Sequence, residues 1–399
     1  MKQGWTYKKF KDICISISDG DWIEKKDQSL SGIRLIQTGN IGVGKFLPKK
    51  DSKRFISEET FKRLRCSEIF EGDVLISRLP NPLGRSCCLP KLSTKCITAV
   101  DCSILKLNKG LVIPQYFIYY TQSDSYFSEI NSQSSGTTRA RITRKKLEET
   151  QIPLAPLSEQ QRIVKRLDSA FAHIDELKAN AEKQVNEARA LFQKALSKAM
   201  EPKEGWVEKS LGDLAIDMYR GSGIKRDQVT KEGTPCVRYG EIYTTYNVAF
   251  EECVSHTKEE YVSSPKYFEH GDLLFAITGE SVEDIGKTIA YLGHEKCLCG
   301  GDIICMKHKQ NPKFLAYALS TPNAIRQKGI GKTKLKVVHT NAPALKAIKI
   351  PVPSLSEQQR IVERLDSLSA NVKALEENQR KVMAECDALK QALLRKVFE

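Results

Sequence analysis

"PLSEQQRIVKRLD" (156–168) and "SLSEQQRIVERLD" (354–366) are almost the same segment, written 198 residues apart. Each sets a serine, Ser158 or Ser356, three residues ahead of a glutamine, Gln161 or Gln359. Serine and glutamine at that spacing before an apolar run form a capping box, in which both ends of a first helical turn are satisfied. The spacing predicts two helices capped by Ser158 and Gln161 and by Ser356 and Gln359. Pro156 sharpens the first start, because the residue before a proline is disfavoured in a helix. Ile163, Leu167, Phe171, Ile174, Leu177, Val185, Leu191 and Leu196 then form one apolar stripe. Ile361, Leu365, Leu368, Val372, Leu375, Val382, Leu389 and Leu393 form the other. Neither Pro nor Gly interrupts the segments until Pro202 closes the first. At 1.5 Å per residue, forty-odd residues make a rod of about 60–65 Å. A stripe that long needs a partner along most of its length, and the other copy is available. The first helix must deliver the chain to the start of its second half, so the expected arrangement is an antiparallel pair.

The remainder of the chain repeats with the helices. "GIRLIQTGNI" (32–41) faces "GTPCVRYGEI" (233–242) at an offset of 201, and Gly72 with Asp73 faces Gly271 with Asp272. "VDCSILKL" faces "GGDIICMK", and "PQYFIYY" faces "PKFLAYA". Such a period is far longer than a solenoid repeat, so these are duplicated domains. Short apolar runs between Gly-Asp turns read as strands, and the Pro-led segments read as helices. The expected fold class is α+β: two duplicated mixed α/β units, 1–155 and 201–353, separated by two long helices, 156–200 and 354–399. The helices form an antiparallel coiled coil with pseudo-two-fold symmetry. Framework elements match between the halves while the loops differ, which suits a constant scaffold with diverged binding surfaces.

A chain of 399 residues is too long for one ordinary core, and 40% hydrophobic with 28% charged residues is globular composition. No run of about 18 apolar residues occurs and the start lacks a signal-peptide core, so a cytoplasmic protein without a membrane span is expected. Sixty-three Lys and Arg against 49 Asp and Glu leave a net charge of +14, which points to a polyanionic partner, nucleic acid first. Twelve cysteines include no C-x-x-C pair, so reduced, partly buried thiols are expected and no metal.

Two variable domains, two "LSEQQRIV" helices after proline-rich leads and the "GDVLIS"/"GDLLFA" element together resemble the specificity subunit of type I restriction-modification systems. The resemblance covers the whole chain; the second lead reads "PVPSL" where the first reads "PLAPL". It implies that each variable domain is a target recognition domain reading one half of a bipartite, asymmetric sequence in double-stranded DNA. It implies further that the helices fix the unread gap and dock two methyltransferase (M) subunits, that restriction (R) subunits join the complex, and that the chain performs no chemistry and needs no cofactor.

Candidate contacts are set by loop chemistry. Arg suits guanine, Asn adenine and Glu cytosine at base edges, while clustered Lys and Arg suit phosphates. In the first unit these are Arg34, Gln37, Asn40, Arg78, Asn81 and Arg85, with a basic loop of Arg139, Arg141, Arg144 and Lys145. In the second they are Arg238, Tyr239, Tyr243, Thr278, Glu280 and Lys287, with Lys332, Lys334, Lys336 and His339.

Other readings fall short on spacing. "GIGKT" (329–333) and "DIGKT" (284–288) lack the earlier glycine of a phosphate loop, where Arg326 and Ser281 stand. "NPLG" at Asn81 has Leu83 and Gly84 where a methyltransferase motif has proline and an aromatic. The six histidines are scattered. A non-catalytic helical scaffold that binds other proteins is the alternative, and an enzyme with an unrecognised site is the third possibility.

Overall fold

The runs "VLIS" and "LLFA" carry no polar alternation, so they suit strands covered on both faces. In the computed structural model, which describes residues 3–135, 140–282, 284–331 and 337–399, Val74–Ser77 and Leu273–Ala276 are such strands, buried at every position. Each follows a Gly-Asp turn. Gly72 and Gly271 adopt φ of 89° and 88°, a region that favours glycine. The next carboxylates close the turn, Asp73 Oδ2 accepting from Phe70 N–H at 2.8 Å and Asp272 Oδ2 from Glu269 N–H at 2.9 Å.

The chain divides into unit 1, Met1–Ala181 with Arg380–Glu399, and unit 2, Glu182–Gln379. In unit 1 the order Cys14–Asp19, Cys102–Leu107, Val74–Ser77, Ser86–Cys88 makes an antiparallel sheet. A second sheet runs Arg54–Ile56, Ile33–Ile36, Cys96–Thr98, its last pair parallel. Unit 2 repeats the plan: Ala215–Arg220, Ile303–His308, Leu273–Ala276, Thr288–Tyr291 and Ala249–Phe250 form one sheet. Its second sheet centres on Thr234–Val237 between Ser255–Thr257 and Cys297–Cys299. In each unit an entering strand pairs with the strand leading into a long helix, Thr6 facing Leu154 and Val207 facing Val352.

Two long helices run through the chain, α1 (Leu157–Ala199, 43 residues) and α2 (Leu355–Phe398, 44 residues). Within unit 1, Lys178 Nζ meets Asp387 at 2.7 Å and Lys390 meets Asp175. Within unit 2, Arg189 meets Glu376 at 2.6 Å and Gln379 Nε2 donates to Gln184 Oε1 at 2.8 Å. Partner numbers fall as residue numbers rise, so the helices pair antiparallel in both units. The apolar stripe is used unevenly. Ile163, Leu167, Phe171 and Ile174 bury beside Leu394 and Phe398 in unit 1, and Leu196 beside Ile361 and Leu365 in unit 2. Leu177, Leu191 and Leu389, expected in the seam, are exposed. Polar and charged pairs occupy that stretch, and each helix end packs on a unit core instead.

The expected caps are corrected by two residues. Pro156 O accepts from Glu159 and Gln160 N–H, and Ser354 Oγ from Glu357 N–H, so Pro156 and Ser354 stand at the cap positions. Ser158 and Ser356 lie inside the first turn, and Gln161 and Gln359 are exposed. The residue that sets the start is the neighbouring buried glutamine. Gln160 Oε1 accepts from Ile113 N–H at 2.8 Å while Nε2 donates to Leu111 O and Ala155 O. Gln358 repeats this, accepting from Asn311 N–H and donating to Gln310 Oε1 and Pro353 O. Further along each helix, Tyr119 Oη donates to Asp168 and Tyr317 Oη to Asp366. The buried glutamine and the tyrosine–aspartate pair in each copy latch the long helix to its own unit.

Candidate nucleic-acid interface

Unit 1 gathers its cations around two aspartates. As strand Val74–Ser77 ends, Arg78 N–H donates to Asp101 O, and Ile142 N–H donates to Arg78 O, drawing residues 141–145 alongside. Arg78 lies 3.6 Å and Arg144 3.9 Å from Asp19 Oδ2, and Arg141 pairs with Asp101 at 2.7 Å. Arg144 also pairs with Glu148 at 3.1 Å, so three guanidiniums meet three carboxylates and the exposed Lys145 supplies the excess positive charge. Arg78 is buried, but Arg141 and Arg144 side chains keep 44% and 47% of their surface, and Lys145 is exposed.

Other expected contacts in unit 1 hold loops. Buried Arg85 donates to the carbonyls of Ile41, Thr38, Leu79, Pro80 and Pro82, at 2.6–3.0 Å. Burial lowers its pKa. Arg34 donates to Pro48 O and lies over the Phe46 ring. Asn40 accepts from Gln37 N–H and donates to Leu47 O. Asn81, at φ 79°, is exposed at the tip of the 78–85 loop, and Gln37 is half-buried. Arg139, Lys332, Lys334 and Lys336 lie outside the described residues.

Unit 2 builds the same corner with different chemistry. Lys287 takes the place of Arg85, its Nζ donating to Tyr246 O at 3.2 Å and reaching Tyr243 O at 3.5 Å, and burial lowers its pKa. Glu241 takes the place of Asn40: it accepts Arg238 N–H, pairs with the Arg238 guanidinium at 3.0 Å and accepts from Ser255 Oγ at 2.7 Å. Thr278–Gly279 pairs with Val338–His339, and Thr278 Oγ1 lies 3.1 Å from His339 Nδ1. Two cavities flank the short helix Tyr239–Thr244. One of about 700 Å³ is lined by Arg226, Arg238, Tyr239 and Asp302. The other, about 420 Å³, is lined by Tyr239, Tyr243, Thr278 and Glu280. The structure thus converges Arg238, Tyr239, Tyr243, Thr278, Glu280 and His339.

Sequence reasoning passed over one feature. Asp19 and Asp101 of unit 1 correspond to Arg220 and Asp302 of unit 2, and Arg220 pairs with Asp302 at 2.8 Å. The aspartate around which unit 1 collects arginines is itself an arginine in unit 2. The signal was present in "SDG" (18–20) facing "YRG" (219–221), where glycine marks the shared frame. Gly20 and Gly221 admit no side chain, since a Cβ would lie 2.4 Å and 2.3 Å from backbone oxygens.

Among the described residues no cluster of three or more His, Cys, Asp or Glu is placed to hold a metal, and no helix is long and apolar enough to cross a membrane. Two copies of one framework with opposed loop chemistry, joined by paired helices, define a duplicated recognition-domain protein. The family described as "Type I restriction modification DNA specificity domain" matches residues 2–187 and 203–384, and the chain belongs to it. The specificity subunit of the type I restriction enzyme EcoKI of Escherichia coli K12 is 25% identical over 94% of this chain and 84% of its own length. The StySPI specificity subunit of Salmonella potsdam is 25% identical with the same coverage. Among solved structures, a chain from work on complex assembly and conformational transition of the type I R-M system superposes with TM-score 0.77 at 20% identity. It covers 100% of this chain and 98% of that one. The HsdS subunit of Thermoanaerobacter tengcongensis gives 0.54 at 20% identity, covering 100% and 97%.

Proposed function

We propose that this chain is the non-catalytic, cytoplasmic DNA-reading subunit of a type I restriction-modification complex, its two recognition domains (1–155 and 201–353) reading the two halves of an asymmetric bipartite target. The observation that carries this reading is the unlike chemistry of equivalent corners: Arg141 and Arg144 about Asp101 and Asp19 in unit 1, against Arg220 in the place of Asp19, paired with Asp302, and Arg238–Glu241 in unit 2. A shared frame with unlike surfaces is what two different half-sites require. Exposed Asn81, Arg141, Arg144 and Lys145 contact the duplex in unit 1, and Arg238, Tyr239, Tyr243, Thr278, Glu280 and His339 in unit 2, with Gln37 beside the unit 1 set. Arg34, Asn40, Arg78, Arg85 and Lys287 shape the loops that carry these side chains. Helices α1 and α2 set the gap between half-sites; about 1.5 Å per residue makes 43 residues shorter than about two duplex turns. The same helices dock two M subunits, and R subunits join through that complex. Sequencing methylated DNA from cells carrying the intact system tests the proposal. A bipartite, non-palindromic motif is expected; a palindrome, or methylation unchanged when the chain is deleted, overturns it.

A further inference from the structure

Two glycines of unit 2 have no local reason to be glycine. Among the described glycines, Gly223 and Gly240 are the pair with neither a left-handed φ nor any atom within 4 Å of an added Cβ. Both line the cavity of about 700 Å³ beside the short helix Tyr239–Thr244, a volume within the range of about 300–1,000 Å³ that encloses a small ligand. Unit 1 shows what the same frame holds at these points. Asp21 bridges Ala99 and Ser222 bridges Gly300, both in parallel sense, so the residues that follow correspond. Trp22, 69% exposed, stands where unit 2 has Gly223. Gly39 is the counterpart of Gly240, and Lys49 Nζ lies 2.6 Å from where its Cβ would be. Unit 1 therefore places a large side chain at each point, and unit 2 keeps both open.

The walls of that space carry groups suited to a planar, polar ring. Tyr239, where unit 1 has Thr38, keeps 39% of its surface. Arg238 donates from Nε and Nη2 to Glu241 Oε1, and its Nη1 has no hydrogen-bond partner among the described residues. Asp302 accepts from Arg220 through Oδ1, and its Oδ2 likewise has none. Arg226 is exposed and makes no ion pair among the described residues. Base edges within a stacked duplex are read by side chains that protrude into a groove. A concave site receives a base only after that base leaves the stack, and then holds it by an aromatic face and by donors and acceptors on its edge. Resting on the reading of unit 2 as a DNA reader, we propose that this cavity takes up one nucleotide extruded from the unit 2 half-site. Its base stacks on Tyr239, its edge meets Arg238 Nη1 and Asp302 Oδ2, and Arg226 pairs with the flanking phosphate. Unit 1, with Trp22 in the equivalent place, reads its half-site without extrusion.

The test uses the full-length chain assembled with its M subunits, and duplexes carrying the target read from methylated DNA with one mismatch at each base pair in turn. Extrusion costs unpairing and unstacking, and a mismatch at the extruded pair removes part of that cost. At one pair of the unit 2 half-site the mismatch is expected to tighten wild-type binding about tenfold, where mismatches at read pairs weaken it. Gly223→Trp imports the residue that the unit 1 frame already holds; it is expected to lose the gain at that pair and to keep the wild-type melting temperature. Tyr239→Ala, which removes the stacking face, is expected to reduce the same gain and serves as the readout if the tryptophan variant melts early. The inference is overturned if every mismatch acts alike on wild type and on these variants. It is overturned too if free deoxynucleoside monophosphates bind wild type and not Gly223→Trp while no mismatch gain occurs, since the cavity is then a small-molecule site. A wild-type complex that does not prefer its target over unrelated duplex refutes instead the DNA-reading proposal on which this one rests.

Discussion

Replacing Lys328 should stabilise unit 2 and erase part of its pH dependence. Lys328 is 5% exposed; its Nζ donates to Leu319 O at 2.8 Å and to Thr288 Oγ1 at 3.1 Å, and these partners are neutral. Unit 1 has an isoleucine in this place: a side chain on Gly286 would meet Lys328, whereas one on Gly84 would meet Ile130. Burial pushes the Lys328 ammonium from 10.5 down to about 7. Between those values the unfolded chain is protonated and the native lysine is not, so the unfolded state binds more protons and stability rises with pH. The group opposes folding by about 4 kcal/mol at pH 7 and about 2 kcal/mol at pH 9. Lys328→Met keeps the length and removes the charge, but leaves Leu319 O without its donor, at a cost of about 1–3 kcal/mol. The expected result is a net gain of about 1–3 kcal/mol at pH 7 that largely disappears at pH 9. Urea denaturation at both pH values, with hydrogen exchange of 312–329 reporting on unit 2, reads this directly. A variant less stable at pH 7, or one whose difference from wild type is the same at both pH values, refutes the argument.

Gln160→Ala should cost about 1–3 kcal/mol, since it strips the partner from the buried Ala155 O and loosens Ile113 N–H and Leu111 O; hydrogen exchange should rise at the start of α1 and not of α2. Arg141→Ala with Arg144→Ala should weaken duplex binding and reduce the salt slope by about 2, with methyltransferase docking unchanged, as read by a salt titration. Arg85→Ala should lower the melting temperature along with DNA affinity because the 38–41 and 79–82 backbones lose their shared donor; a loss of affinity at unchanged melting temperature would mark Arg85 as a direct contact. One extra helical turn in both α1 and α2 should change the tolerated gap between half-sites in methylated DNA, and an unaltered gap would remove the spacing role.

The duplication, the strands after each Gly-Asp turn and the two helices were legible because each rests on local pattern. Apolar spacing names a helix face without reference to a neighbour, and an offset of 201 exposes a copied frame. The helix starts were misjudged by two residues for the opposite reason. Ser158 has the right chemistry for a cap, but the buried Gln160 finds three backbone partners in unit 1, two of them 47 and 49 residues back along the chain. That distant anchoring outweighs a local hydroxyl. Leu177, Leu191 and Leu389 show the same limit: heptad-like spacing marks a face, yet only the partner helix decides whether that face is covered.

Sequence alone therefore determined a repeated α+β frame, its paired rods and its cationic balance, all properties of residue order and composition. Tertiary structure alone decided which loop cations meet solvent. Arg85 and Arg141 are the same residue type in adjacent loops. One is enclosed because Ile41 O and Thr38 O, 44 and 47 residues away along the chain, join three carbonyls of its own loop around it; the other stands open beside Asp101. Exposure is set by which distant carbonyls converge, and no local pattern encodes that convergence.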